Sequence, residues 1–281
     1  MSTRILLICF AVSPIWCGTT VLGHELEPIV ITGHYDNAIG TSDAASQGAI
    51  GPELLRNRAI LRPADVLEYI PGMVVTQHSG DGKANQYFLR GMNLDHGTDF
   101  ATNINGVPIN LPTHAHGHGY SDLNLFIPEL VQNVYYKKGP YFASEGDFSS
   151  AGSAQFVYRT QLPRDVLDVT LGQRGYLRGL AAVSRTMGNE VTLLSAVEHV
   201  QNNGPWTVPE HLHKLNTQFI LSSGSPRQGW TTSLSAYRAS WTATDQVPLH
   251  LINNDTIGRY DSLDASDGGQ TQRTSVSGTW H

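Results

Sequence analysis

Lysine, cysteine and long apolar runs are all scarce in this chain of 281 residues. Its four lysines and its formal net charge of −6 argue against a basic surface for nucleic acid. Beyond residue 23, no apolar run reaches the ~20 residues that a membrane-spanning helix needs. An integral membrane protein with this sequence would therefore have to cross the bilayer with β-strands.

The first 23 residues have the pattern of a secretory signal peptide. Arg4 precedes an apolar run over residues 5–17, and a stretch of mostly small residues ends at Gly23. We predict cleavage near Gly23 and export of a mature chain that begins at His24. Both cysteines lie in the leader, so the mature chain would have no thiol for a disulfide or for a thiolate metal site.

Residues 24–50 are predicted to form a flexible, polar extension. It contains one short β-branched run behind a proline, which consists of Glu27, Pro28, Ile29, Val30, Ile31 and Thr32. Such a run can add as a strand to the edge of a partner's sheet. The pattern is equally typical of an edge strand of the following domain, and periodicity leaves both interpretations open.

Residues 51–160 are predicted to form an α+β domain, because helix and strand signals alternate on a short scale. Pro63 begins a helix that Pro71-Gly72 ends, and a second helix is expected over about 121–130. The dipeptide Asn105-Gly106 is a strong hairpin signal. Strands are expected at 73–77, 86–90, 99–104, 107–110 and 153–159.

From residue 161 onward the helical period disappears, and antiparallel strands are predicted. Over 165–171 the residues alternate, with Leu167, Val169 and Leu171 on one face. Short and long connections also alternate, as they do in outer-membrane barrels. A soluble β-sandwich remains the alternative at this point. The other strands are expected at 176–186, 190–200, 214–223, 229–245 and 270–281.

Several short motifs follow the leader in a characteristic order. They are Glu27–Thr32, Arg62–Leu67 with Ile70-Pro71-Gly72, Phe88–Gly91, Asn105–Pro108, Val134–Pro140 and Ser150–Ala154. In this order they resemble the plug domain of TonB-dependent outer-membrane transporters, and the first of them resembles the TonB box. The resemblance covers about residues 27–159.

The resemblance implies a plug inside a large transmembrane β-barrel of the cell outer membrane, which takes up a scarce ligand actively. TonB, with its inner-membrane energising complex, would pull on the box, and outer-membrane lipid would surround the barrel. The resemblance implies neither catalysis nor a required cofactor. The structural positions of the plug that it carries over are Arg90, Gly91, Asn105, Gly106, Gly139 and Pro140.

The barrel is expected to be incomplete in this chain. A plugged barrel of about 22 strands, with ~10 residues each, needs more than ~220 residues for its strands alone. Residues 161–281 supply about six strands. We therefore expect a fragment or a truncated reading frame that could not close a barrel by itself. The ligand stays open, because the loops and walls that select it in this family are mostly missing.

Three histidines alternate after the Asn105-Gly106 hairpin. His114, His116 and His118 could converge on Zn²⁺, Cu²⁺ or Ni²⁺, with His96 or Asp122 as a further ligand. The transported ligand would then be a metal ion or a metal chelate, with an iron complex among the options. A solvated polar loop that packs against the barrel lumen is the alternative.

Two other classes of function fit the sequence less well. A secreted or periplasmic His-rich metal-binding protein or metallohydrolase could use the same histidines. The familiar hydrolase motif His-x-His-x-Asp-His, however, has His118 at its Asp position and Gly119 at its last position here. A receptor that signals without transport would need an extra folded N-terminal domain, for which residues 25–50 are too short.

Overall fold

A computed structural model describes residues 41–44, 46–56, 60–77, 80–188, 190–225, 227–243 and 245–281. The predicted signal peptide and the predicted TonB box at Glu27–Thr32 lie outside the described residues. Among the residues that are described, no helix has the length and apolar character needed to span a membrane.

Short elements make up the described residues as far as residue 158. In chain order they are β1 (Thr41–Ala44), β2 (Gln47–Ile50), α1 (Pro52–Arg56), a 3₁₀ helix (Pro63–Tyr69), β3 (Met73–Thr76), β4 (Gln86–Leu89), β5 (Met92–Asn93), β6 (Phe100–Ile104), β7 (Val107–Pro108), a 3₁₀ helix (Pro128–Leu130), β8 (Val131–Lys138), a 3₁₀ helix (Ala143–Glu145) and β9 (Gly152–Tyr158). This mixture of helices and strands is the expected α+β domain.

A mixed sheet with the strand order β1-β2-β8-β9-β6-β7 organises this domain. Strands β6 and β9 run parallel, whereas β8 pairs antiparallel with both β2 and β9. Strands β3, β4 and β5 form a second, antiparallel sheet. Side chains from the strands and from the segment before β8 meet in one apolar core, whose largest fully buried members include Ile50, Tyr87, Phe100, Phe126 and Phe156.

Residues 41–50 were expected to be the end of a flexible extension, but residues 41–44 and 47–50 form β1 and β2. Strand β2 pairs with β8 from Gln47↔Lys137 to Ile50↔Val134. Ile50 is fully buried in the core, so its apolar side chain anchors this strand to the domain.

Asn105 and Gly106 turn the chain tightly between β6 and β7. Their φ angles of 49° and 78° lie in the left-handed region that Asn and Gly adopt most readily. The expected hairpin is confirmed, and so is a helix that begins at Pro63. That helix is of the 3₁₀ type, and the Asp65 carboxylate at its start accepts the Arg62 N–H at 3.0 Å.

The predicted helix over 121–130 is wrong. Only Pro128–Leu130 is helical in this described segment, as a 3₁₀ turn. The Asp122 carboxylate accepts the Asn124 N–H at 2.8 Å, and the Asn124 amide donates to the Lys83 carbonyl at 3.0 Å. Such bonds between side chains and backbone compete with the hydrogen bonds of a helix.

From residue 166 onward the chain forms an antiparallel sheet whose six strands follow the sequence order. They are β10 (Val166–Leu171), β11 (Leu177–Met187), β12 (Val191–Asn202), β13 (Leu212–Ser225), β14 (Gln228–Thr242) and β15 (Gly268–Trp280), with α2 (Leu249–Asn253) in the last loop. All the strands expected here are confirmed, with bounds that differ by at most three residues. Within the described residues, β10 and β15 are edge strands, so the sheet is open.

The two faces of this sheet differ in polarity. One face exposes apolar side chains, among them Leu167, Val169 and Leu171, which are 82%, 64% and 75% exposed. The opposite face buries the polar side chains of Glu198, Lys214, Asn216, Gln218 and Ser233, together with apolar ones such as Leu180, Leu194 and Ile220. A soluble sandwich buries the apolar faces of its sheets, so an exposed apolar face argues against that alternative.

Candidate metal site

The three alternating histidines lie in a loop that closes on itself, residues 111–120, which we call the histidine loop. Its ends form an isolated antiparallel bridge, in which the Leu111 N–H donates to the Tyr120 carbonyl at 2.9 Å. The Tyr120 hydroxyl accepts the Ala84 N–H at 2.7 Å. The histidine loop is therefore attached to the turn that precedes β4.

Asn110 precedes this loop and fixes its position from a buried site. Its side-chain oxygen accepts the Thr102 N–H at 2.7 Å. Its amide nitrogen lies 2.9–3.0 Å from three backbone carbonyl oxygens, those of Gly97, Phe100 and Gly119. Because one side chain bonds both the start of β6 and the end of the histidine loop, the loop is held against the turn that contains His96.

His96 is buried, with 4% of its surface exposed, and its ring orientation is fixed by the backbone. Its Nδ1 lies 3.1 Å from the Ala84 carbonyl oxygen and 3.0 Å from that of Asn85. Both partners are acceptors, so Nδ1 carries a hydrogen, and in the neutral form of the ring Nε2 holds the lone pair. Nε2 lies 3.7 Å from the Asp95 carboxylate.

His116 of the histidine loop completes a compact group with these two residues. Its ring centroid is 4.5 Å from that of His96, at an interplanar angle of 69°. One ligand atom each of Asp95, His96 and His116 lie within 4.8 Å of one another. Two imidazoles and a carboxylate form a set of donors suited to a borderline divalent cation.

The other two histidines of the loop do not join this group. The His114 ring stacks on Tyr120 at 4.0 Å, and its Nδ1 accepts the His116 N–H at 3.2 Å. Partial burial, with a smaller contribution from His116, lowers the pKa of His114. His118 is exposed. Burial raises the pKa of Tyr120 to about 12, so its hydroxyl stays neutral near the group.

Asp122, predicted as a neighbour of the histidines, belongs to a different contact. One of its oxygens accepts the Asn124 N–H at 2.8 Å, and the other accepts a hydrogen bond from the Tyr237 hydroxyl of β14 at 3.4 Å. Burial raises the pKa of this carboxyl, against the opposing effects of the Asn124 hydrogen bonds and the Lys214 ammonium. Asp122 thus links the N-terminal domain to the open sheet.

Sequence reasoning missed Asp95, whose carboxylate lies in the group that Asp122 was expected to join. Neighbouring side chains in an extended chain point to opposite sides, so Asp95 and His96 would not be expected to bind the same metal ion. Here Asp95 has a φ of 50°, in the left-handed region, and both side chains reach the same point. The turn residues Asp95-His96-Gly97 were the available signal.

The predicted structural positions lie in turns and pairings of the same domain. Arg90 and Gly91, with φ angles of 53° and 81°, connect β4 to β5. Gly139, which precedes Pro140 after β8, has a φ of 94°. The side-chain oxygen of Asn105 accepts the Tyr158 N–H at 2.8 Å and so ties the β6–β7 turn to β9.

Comparison with known families identifies this domain. A family model described as TonB-dependent Receptor Plug Domain matches residues 41–153. These residues form a TonB-dependent receptor plug domain. The compact histidine–aspartate group therefore lies within the plug, and the open sheet follows it in the chain.

Solved structures share the fold of the plug and of the open sheet. The ferric yersiniabactin uptake receptor FyuA from Yersinia pestis has a TM-score of 0.59 and 16% identity, and the match covers 84% of this chain and 38% of that one. The siderophore receptor PiuA from Acinetobacter baumannii has a TM-score of 0.53 and 19% identity over 71% of this chain and 27% of that one. The copper transporter OprC has a TM-score of 0.53 and 19% identity, and the match covers 73% of this chain and 31% of that one.

These likenesses concern the fold, and the chain spans 27–38% of the length of the three structures. They confirm the expected fold class, an α+β plug followed by antiparallel strands of a transmembrane β-barrel that is not closed here. The plug family and its structural relatives place the chain in the cell outer membrane.

Proposed function

We propose that this chain supplies the plug and part of the wall of a TonB-dependent outer-membrane transporter that takes up a metal ion or a metal chelate. The observation that carries the proposal is a plug domain with two imidazoles and a carboxylate brought together beside its histidine loop. The proposed ligands are Zn²⁺, Cu²⁺, Ni²⁺ and iron complexes. Structures of similar fold include receptors for siderophores and a transporter for copper.

TonB and its inner-membrane energising complex are the proposed source of energy. The predicted TonB box, Glu27–Thr32, ends eight residues before the matched plug, residues 33–40 lying between them. It has the β-branched composition of a segment that adds to a partner's sheet edge. Backbone pairing of this kind tolerates varied side chains but requires free N–H groups. Outer-membrane lipid would contact the apolar face of the open sheet.

The test is uptake by cells that express the intact gene in a host lacking its own metal transporters. Accumulation of radioactive Zn²⁺, Cu²⁺, Ni²⁺ and ferric siderophores is measured with and without functional TonB. We expect one of these ligands to accumulate only when TonB is present. Equal accumulation in both hosts for every ligand would contradict the proposal, and recovery of the protein from the culture medium would favour the secreted metal-binding alternative.

A further inference from the structure

We propose that Asp95, His96 and His116 bind one bare divalent cation of the borderline class, such as Zn²⁺, Cu²⁺, Ni²⁺ or Co²⁺, rather than a ferric chelate. The ligands are Nε2 of His96, a ring nitrogen of His116 and a carboxylate oxygen of Asp95. The proposed binding of the ion is argued from these contacts alone, whereas its role as transported cargo rests on the proposed function.

His96 is the fixed ligand of this site. Carbonyl oxygens at 3.1 Å and 3.0 Å hold its Nδ1–H, which leaves Nε2 as the only ring atom of this residue that can ligate. A metal-ligating histidine commonly donates its other N–H to a backbone carbonyl or a carboxylate, because that bond sets both the tautomer and the ring orientation. His96 already makes such a bond to backbone carbonyls, and it is buried, with 4% of its surface exposed.

His116 is the movable ligand. Nitrogen and oxygen ligands at ~2.1 Å from a tetrahedral ion lie roughly 3.4 Å apart, and the three ligand atoms here lie within 4.8 Å of one another. His116 is exposed and is followed by Gly117, so its ring has room to move toward Asp95. A Cβ placed on Gly117 would lie 3.5 Å from the Asp95 carboxylate, which puts this part of the loop directly beside that group.

The number and type of ligands indicate which cation the site accepts. Imidazole nitrogen favours Zn²⁺, Cu²⁺ and Ni²⁺, whereas Fe³⁺ prefers oxygen ligands, and a siderophore that fills its coordination sphere leaves no position for a histidine. Three protein ligands leave at least one coordination position open to water. An open, partly exposed site suits an ion that is captured and then released, whereas a structural zinc site has four protein ligands.

The three alternating histidines therefore have different roles. His114 accepts the His116 N–H at its Nδ1 and stacks on Tyr120, so it positions the ligand that follows it. His118 is exposed and lies outside the compact group. It provides a matched control, since it is the same residue type in the same loop.

The experiment is a titration in detergent of the purified full chain, prepared without a polyhistidine tag. Co²⁺ binding is followed by its visible absorption, and Zn²⁺ serves as competitor. We expect one Co²⁺ per chain, displaced by Zn²⁺. His116→Ala and Asp95→Asn should each weaken binding at least about tenfold, the size of effect that even outer-shell changes produce. His118→Ala should bind as the unchanged chain does.

His96 needs a substitution that preserves the fold. His96→Asn keeps an N–H donor near the Nδ1 position for the Ala84 and Asn85 carbonyls but removes the ligating Nε2. We expect it to abolish the Co²⁺ spectrum while leaving the circular dichroism and the thermal unfolding of the chain close to those of the unchanged protein. An unaltered Co²⁺ spectrum in His96→Asn or in His116→Ala would overturn the proposed site.

Failure of the site and failure of the proposed function are distinguishable. If the chain does not bind Co²⁺ or Zn²⁺ but cells accumulate a ferric siderophore in a TonB-dependent way, the site is wrong and the function stands. If the chain binds Zn²⁺ through His96 and His116 but no tested ligand accumulates with TonB, the site stands and the function is wrong.

Discussion

Arg178 on strand β11 and Glu129 of the plug form a bidentate ion pair, with N–O distances of 2.8 and 2.9 Å. The same guanidinium bonds Glu198 of β12, which also pairs with the Lys214 ammonium at 3.2 Å. A planar guanidinium can serve two carboxylates at once, which a lysine cannot do with the same geometry. This network joins the plug to the open sheet through charges that are each paired.

The first prediction concerns this junction. Arg178→Met should destabilise the folded chain by about 3–5 kcal/mol, because it leaves the buried Glu198 with less compensation of its charge. Glu129→Gln should cost much less, since Glu129 is exposed and its loss leaves Arg178 paired with Glu198. The free energy of unfolding in denaturant, measured in detergent, checks both values.

Arg185 and Asp165 provide the control for that prediction. They form an equally close bidentate pair at 2.7 and 2.6 Å, but both side chains are exposed. Solvent screens such a pair, so Arg185→Met should leave the unfolding transition unchanged. A similar loss of stability for both arginine variants would show that burial of the network does not matter.

A second prediction concerns Glu210, in the loop between β12 and β13. Its carboxylate accepts the Trp206 indole N–H at 2.5 Å and the Asp81 N–H of the plug at 3.1 Å. Burial, and then the charge of Asp81, raise the pKa of Glu210. The folded chain therefore binds this proton more tightly than the unfolded chain does. The resulting stability is present below the ordinary pKa of glutamate and is lost as pH rises through the raised pKa.

Glu210→Gln should reduce the slope of the unfolding free energy against pH by the equivalent of up to one bound proton. The amide keeps an acceptor for Trp206 and Asp81 but does not titrate. The measurement is the unfolding midpoint as a function of pH from acidic to neutral conditions. Glu190→Gln, at an exposed position in the β11–β12 turn, should leave the slope as it is. An unchanged slope in Glu210→Gln would assign the effect to other groups.

The third prediction tests how the histidine loop is held. Asn110→Asp preserves the shape of the side chain but places oxygen against the Gly97, Phe100 and Gly119 carbonyls, where an N–H donor is required. We expect a loss of about 3 kcal/mol or more in stability and weaker Co²⁺ binding. Asn254→Asp is the control, because its side-chain oxygen is the acceptor for Thr256 and survives the change.

The fourth prediction concerns the proposed TonB box. A peptide of residues 25–34 should bind the C-terminal domain of TonB weakly. Ile31→Pro should weaken that binding about fivefold or more, because proline removes a ladder N–H and restricts the strand. Ile31→Val keeps the N–H and the β-branched side chain, so it should bind like the original. Equal binding of the proline peptide would exclude strand addition through this residue.

The strands of the open sheet were predictable because their signal is local. The alternation of apolar and polar residues, together with the turn residues, predicted the bounds of β10 to β15 to within three residues. The segment 121–130 was not predictable in this way, because the bond from Asn124 to Lys83 depends on the tertiary fold. Asp95 was missed although the turn residues Asp95-His96-Gly97 were a local signal, because its left-handed backbone, which brings two adjacent side chains together, is uncommon outside glycine.

The sheet that exposes Leu167, Val169 and Leu171 and buries Glu198 has a consequence for how the chain dissolves. The histidine loop of the plug is polar and is suited to water, whereas the outward face of β10 is apolar and is suited to hydrocarbon. Neither water alone nor hydrocarbon alone solvates both surfaces well. The folded chain is therefore suited to the boundary between water and hydrocarbon. In water alone, the exposed apolar face of this sheet would cause the molecules to associate with one another.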